Sequence, residues 1–216
     1  MTVLCIETST SVCSAAICKD GAAVKQFINY DGSNHARLLP VYIQQLLDFS
    51  QEQSLSIDAV ALSEGPGSYT GLRIGTATAK GLCYGLDVPL IPIPTLDILN
   101  AASGQTGHLC PMIDARRMEV YTSGPQGARA VVVENEDSLY SGEDEVCYFG
   151  DGAAKCAQIF TKTNWHYIPD IVPEAQFMGR LAENATRKVE GKDLAYYEPY
   201  YLKEFVAAQS HVKGLK

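Results

Sequence analysis

Apolar residues in this chain fall into short blocks separated by polar or glycine-rich turns, and the spacing within each block predicts its element. Residues 2–6 form an apolar run that ends at Glu7-Thr8-Ser9-Thr10-Ser11, which predicts a buried strand running into a polar turn. Two more strand-like runs, 14–18 and 22–28, flank Lys19-Asp20-Gly21, and Asp-Gly between such runs predicts a hairpin. Over residues 33–50, Leu38, Leu39, Tyr42, Ile43, Leu46 and Leu47 recur at helical spacing, with Pro40 near the first turn or at a kink. A strand at 59–63, a helix at about 70–84, a strand at 90–93 and a helix from 95 to about 103 complete a β-β-β-α-β-α-β-α order.

Periodicity lapses at Gly104-Gln105-Thr106-Gly107, which reads as a linker. The order then returns: strands at 109–114, 118–123 and 129–133, with Gly124-Pro125-Gln126-Gly127 turning the second pair, a strand at 146–149, a helix at 152–161, a strand at 165–168 and a helix at 173–190. Residues 134–145 are acidic and mostly polar, so the second copy lacks the first copy's opening helix. The reading is a duplicated α/β fold with a first unit at 1–104, a degenerate second unit at 105–192 and a C-terminal segment at 193–216. Tyr196, Tyr197, Tyr200, Tyr201, Leu202 and Phe205 make that segment too apolar for a free tail, so it is expected to pack back on the first unit.

The most unusual stretch is 63–82, Ser-Glu-Gly-Pro-Gly-Ser-Tyr-Thr-Gly-Leu-Arg-Ile-Gly-Thr-Ala-Thr-Ala-Lys-Gly-Leu. Gly65-Pro66-Gly67 is a turn that no strand or helix interior accepts, and Ser68 and Thr70 are natural N-caps for the helix that follows. Gly71, Gly75 and Ala79 recur at every fourth position and leave one helical face nearly bare. Glycine inside a helix is destabilising by roughly 0.5–1 kcal/mol relative to alanine, which implies a packing reason. Two readings stand: a tight crossing within the same molecule, or a face that docks on a second chain. A phosphate loop of the Gly-x4-Gly-Lys-Ser/Thr type is absent. Arg73, near the helix start where the dipole disfavours a cation, calls for an acidic partner on this chain or another.

Composition narrows the function classes. With 216 residues, 46% hydrophobic and 19% charged, the chain is an ordinary globular protein with core to spare. A formal net charge of −8 argues against holding a polyanion unaided, so any RNA is expected to be held by something else. The seven cysteines are odd in number with no C-x-x-C pair, and most read as small buried hydrophobes. No segment approaches the ~20 apolar residues of a membrane span, so a reduced cytoplasm and no membrane association are expected.

In open α/β sheets, ligands lie beyond the carboxyl ends of the strands. That singles out Glu7, Thr8, Ser9 and Thr10, then Asp114-Ala115-Arg116-Arg117, and Gly150-Asp151-Gly152-Ala153. Glu7 and Asp114 could face each other across a cleft, or serve as turn formers and caps. The four histidines are dispersed without metal-ligand spacing, and no G-x-S-x-G nucleophile motif occurs.

At Val3-Leu4-Cys5-Ile6-Glu7-Thr8-Ser9-Thr10, His35-Ala36-Arg37-Leu38-Leu39-Pro40, the GPGSYTGLRIG run and Ile113-Asp114-Ala115-Arg116-Arg117-Met118-Glu119-Val120-Tyr121, the chain closely resembles the TsaB (YeaZ) family. The likeness covers about residues 1–121, and more weakly 150–153 and 199–203. It implies the actin, hexokinase and Hsp70-like superfamily, with ribonuclease H-like tandem domains. It also implies a role in making threonylcarbamoyladenosine beside the anticodon of tRNAs that read codons beginning with A.

The resemblance implies a non-catalytic partner of the catalytic paralogue TsaD, joined by the small ATPase TsaE, that meets tRNA only through the complex. The resemblance implies contact through the two long helices of the first unit, hence Leu38, Leu39, Tyr42, Leu46, Thr70, Gly71, Arg73, Ile74, Gly75, Thr78 and Ala79. The same helices would allow a homodimer when TsaD is absent, which the sequence leaves open. No cofactor of its own is expected, with ATP or ADP at most at the junction with TsaD, and Glu7, Thr8, Ser9 and Asp114 as the weaker candidates for contacting it. TsaD-like chains carry an H-x-x-x-H metal pair where this sequence reads Thr95-Leu96-Asp97-Ile98-Leu99. Asp114-Ala115-Arg116-Arg117 replaces a glycine-rich phosphate turn, and Glu7 replaces the superfamily's usual aspartate. A stand-alone ATP- or metal-dependent enzyme, including the peptidase role once attached to the superfamily, is the alternative reading.

Overall fold

The computed structural model describes residues 1–32 and 34–203. Ser33, where the first helix is expected to begin, and Phe205 of the C-terminal segment lie outside the described residues. The chain opens as a meander of β1 (Thr2–Glu7), β2 (Cys13–Lys19) and β3 (Ala22–Asn29). Asp20 and Gly21 turn the hairpin with φ of 51° and 79°, a conformation that aspartate tolerates and glycine favours.

Helix α1 (His35–Glu52), strand β4 (Ala59–Gly65), helix α2 (Tyr69–Leu86), strand β5 (Leu90–Pro94) and helix α3 (Thr95–Ser103) follow. The sheet order is β3-β2-β1-β4-β5, with β1, β4 and β5 parallel. Gly104, with φ of 60°, ends α3 and starts the linker. The second unit holds β6 (His108–Asp114), β7 (Glu119–Gly124), β8 (Gly127–Val132), β9 (Val146–Phe149) and β10 (Trp165–Tyr167). Its order, β10-β9-β6-β7-β8, repeats the first with the same parallel and antiparallel pairings, as a tandem duplication requires.

Two expected helices are shorter than their sequence pattern. That at 152–161 is reduced to α4 (Ala153–Cys156), because the N–H groups of Thr161 and Lys162 are taken by the Glu136 carboxylate and Phe160 turns in against Tyr148 and Trp165. That at 173–190 is a 3-10 turn at Ala175–Phe177 followed by α5 (Met178–Asn184). Its start is fixed by side chains of the first sheet: Ala175 N–H donates to Ser14 Oγ at 2.9 Å and Gln176 N–H to Gln26 Oε1 at 2.8 Å. Its end is set by Val189, which exchanges two backbone hydrogen bonds with Leu90 at 2.8 and 3.0 Å.

The first sheet is covered on both faces. On one side Leu4, Ile6, Ala15 and Ile17 pack with Leu39, Ile43 and Leu46 of α1 and Ala79 and Cys83 of α2. On the other, Val3, Cys5, Ala16, Ala61 and Ile93 pack with Ile98 of α3 and with Ala175, Met178 and Ala182. By its packing, then, the helix that follows β10 belongs to the first unit. Leu96 and Leu99 join Ile113 and Phe149 of the second sheet, so α3 links the two cores.

The final described segment returns along the first unit as a strap. Leu194 of α6 (Gly191–Tyr196) and Tyr197 enter the core beneath α1 and α2. Tyr200 N–H donates to Glu64 O at 2.7 Å, and Lys203 reaches Glu119 of the second unit. Six cysteines are buried and Cys147 is half-buried, all as free thiols. Among the described residues, no helix is long and apolar enough to cross a membrane.

Candidate functional site

The glycines of residues 65–75 are matched one by one to backbone and side chains of the same chain. A Cβ at Gly65 would lie 2.4 Å from Tyr200 O, at Gly67 2.3 Å from Ser9 O, at Gly71 2.0 Å from Thr8 O, and at Gly75 2.4 Å from Thr8 Oγ1. Thr8 Oγ1 donates to Gly71 O at 2.8 Å, Ser68 N–H donates to Ser9 O at 2.6 Å, and Ser68 Oγ caps α2 by accepting from Gly71 N–H at 3.3 Å. The bare helical face therefore receives the turn after β1 and is closed to any second chain.

This corrects part of the expected docking set. Leu39, Leu46, Gly71, Gly75 and Ala79 are buried, the two leucines and Ala79 inside the first core and the two glycines against Thr8. Thr70 and Arg73 are exposed, while Leu38, Tyr42, Ile74 and Thr78 are half-buried. The outward stripe of α2 continues from Thr70 and Arg73 to Ala77, Gly81 and Tyr84, which the expected docking set did not include. Gly81 and Gly85 have nothing within 4 Å of an added Cβ, and Tyr84 is 88% exposed. The signal was available: continuing the 3.6-residue period from Thr70 and Arg73 gives these positions. Val41 of α1, also exposed, adds an apolar residue to the outer surface.

At the carboxyl end of β1, Glu7 is fully buried. Its Oε1 accepts from Ser9 N–H and Ser9 Oγ–H, each at 2.6 Å, while Oε2 has no hydrogen-bond partner within range among the described residues. Burial, reinforced by the nearby charge of Asp151, pushes its carboxyl up from an ordinary 4.5 to about 7. The acid whose charge bears on Glu7 is Asp151, whereas Asp114, its expected counterpart, forms an ion pair with Lys155 and accepts from Arg116 N–H at 3.0 Å. Asp151 itself accepts from Asp114 N–H at 2.9 Å, and its carboxyl is raised by burial and by Asp114.

The chemistry available to a phosphate or metal here is limited by the chain itself. A Cβ at Gly150 would meet Met112 O at 2.1 Å and one at Gly152 would meet Ile113 C at 2.9 Å, so these glycines seat the turn against β6. Thr95 and Leu99, at the places of the H-x-x-x-H pair, are buried and offer one hydroxyl between them, so they do not fit a metal. Among the described residues, no group of three or more His, Cys, Asp or Glu could hold a metal ion.

Comparison with known proteins places this architecture. The family described as TsaD, tRNA N6-adenosine threonylcarbamoyltransferase, matches residues 30–207. The chain is 30% identical to the tRNA threonylcarbamoyladenosine biosynthesis protein TsaB of Escherichia coli, over 96% of each chain. It is also 30% identical to the TsaB of Bacillus subtilis, over 88% of this chain and 85% of that one. The solved structure of YeaZ from Pseudomonas aeruginosa superposes with a TM-score of 0.73 at 27% identity, covering 93% of this chain and 99% of that chain. The chain therefore belongs to the TsaB family, also called YeaZ, of tRNA threonylcarbamoyladenosine biosynthesis proteins.

Proposed function

We propose that this chain is the non-catalytic subunit of a tRNA threonylcarbamoyl transfer complex and that it binds the catalytic paralogue TsaD through the outer face of α1 and α2. The observation that carries this reading is the outward stripe of α2: the small residues Thr70, Ala77 and Gly81, with Arg73 among them and an almost fully exposed Tyr84 at the end. Small side chains let a partner helix approach closely, and a large exposed aromatic is a typical anchor for one.

In this reading TsaE joins the pair, tRNA is met only through the complex, and ATP or ADP is contacted at most at the junction with TsaD. When TsaD is absent, the same face pairs two copies of the chain. The test is a reconstituted threonylcarbamoylation of tRNA with synthase, TsaD and TsaE, with the chain included or omitted. Modification that requires the chain, together with none when TsaD is withheld, is the expected result. Equal modification without the chain would overturn the proposal, and turnover by the chain alone would favour the stand-alone enzyme.

A further inference from the structure

Arg73 stands exposed in the second turn of α2, where the helix dipole disfavours a cation, and among the described residues it pairs with no carboxylate. It is nonetheless held in place. Its Nη1 donates to Tyr69 Oη at 2.9 Å and its guanidinium lies over the Tyr69 ring at 5.3 Å. The other support comes from the strap: the Tyr201 ring packs on Tyr69 with centroids 4.9 Å apart, and the Arg73 charge is felt at the Tyr201 hydroxyl. A stack drawn from residues 69, 73 and 201 thus fixes a guanidinium that pairs with no carboxylate among the described residues.

Charge distribution says what it should meet. The chain carries 25 acidic residues and a net charge of −8, yet α2 has none in its 18 residues. Its other cation, Lys80, is spent on the strap, donating to Ala195 O at 2.7 Å and Tyr197 O at 3.2 Å. The exposed face is therefore an apolar, cationic island on an acidic protein, and a pre-positioned arginine is well suited to a carboxylate.

We propose that Arg73 receives a carboxylate of the partner protein, and that Tyr201 of the C-terminal strap is a positioning residue that holds Arg73 for it through Tyr69. The proposal rests on the docking reading given above and adds the partner's chemistry and a dependence on the strap. Partner recognition then depends on a residue remote in sequence from both docking helices.

The test is calorimetric titration of the full chain against its catalytic paralogue at low and high salt. Arg73→Ala is expected to weaken binding at least about tenfold and to reduce the salt dependence. Tyr201→Leu, which keeps apolar bulk under the strap, is expected to weaken binding and lose salt dependence in the same way, with Tyr201→Phe restoring both. The Arg73→Ala/Tyr201→Leu double variant should bind no more weakly than Arg73→Ala. Wild-type binding with Arg73→Ala unchanged, or fully additive losses in the double variant, overturns this proposal alone. Absence of wild-type binding overturns the docking reading and this proposal with it. Thermal melting of each variant separates loss of binding from loss of fold, and a Tyr201→Leu chain that melts as wild type and binds as wild type also overturns the positioning role.

Discussion

The carbonyl oxygen of Thr8 occupies the place that a side chain at Gly71 would need: a Cβ there would lie 2.0 Å away. The neighbour is backbone in a fully buried turn and has nowhere to move. Gly71→Ala should therefore destabilise the fold by about 3 kcal/mol or more, beyond the usual cost of overpacking. Gly75→Leu should behave likewise, since its side chain would enter the space of Thr8 Oγ1 and Leu62. Urea denaturation of both variants checks this, and loss of partner binding by either would report unfolding.

Gly81 gives the opposite sign. It lies in the same helix, yet an added Cβ meets nothing within 4 Å. Gly81→Ala should raise stability by about 0.5–1 kcal/mol through helix propensity alone. A urea midpoint below that of wild type would contradict this.

Obstruction of the outer face should separate binding from folding. Gly81→Arg and Tyr84→Ala change exposed positions, so both should melt within a few degrees of wild type. In a pull-down with the catalytic paralogue, each should retain much less partner. Full retention by both would remove this surface from the docking face.

Glu7 should make stability pH-dependent. Its folded pKa, about 7, lies above the ordinary 4.5, so the native state binds the proton more tightly than the unfolded chain. The resulting stabilisation is fully present below the ordinary value and is lost as pH rises through the folded one. Between about pH 5 and pH 8 this loss amounts to as much as about 3 kcal/mol. Glu7→Gln should flatten that part of the profile and exceed wild type in stability at the upper end. Parallel slopes for the two proteins in denaturation across this range would rule the assignment out.

Lys80 should report on the strap. Lys80→Met removes donors to two carbonyls and should cost about 1–2 kcal/mol, with faster proteolysis around residues 195–201. Cleavage no faster than in wild type would show that the strap is held by its other contacts and does not need Lys80.

Much of the fold was legible because periodicity and turn chemistry agree locally. The Asp20-Gly21 hairpin and the spacing of Leu38 to Leu47 rest on contacts between near neighbours, and the order of elements after Gly104 could be read because each element carries its own local pattern. The path after Trp165 was not, because the limits of α5 are set by Ser14, Gln26 and Leu90, residues far away in sequence. At the site, the glycine run was legible as a place of close approach. What approaches it was not, since a small residue reads the same whether its neighbour is Thr8 or another protein. Arg73 was singled out from helix electrostatics alone, whereas the role of Tyr201 depends on a stack that no local pattern encodes.

The covering of the first sheet by Met178 and Ala182, and of its opposite face by Leu194 and Tyr197, bears on how the protein is made. Translation proceeds from the N-terminus at roughly 5–20 residues per second, and domains generally fold as units. Here the first unit leaves the ribosome with Val3, Cys5, Ala61 and Ile93 covered only in part, by Ile98 of α3, and stays so until residues 175–182 have been synthesised. The nascent polypeptide therefore carries a half-covered apolar sheet until that point, and a stop codon before residue 175 leaves a product in which Ala175, Met178 and Ala182 never close that face.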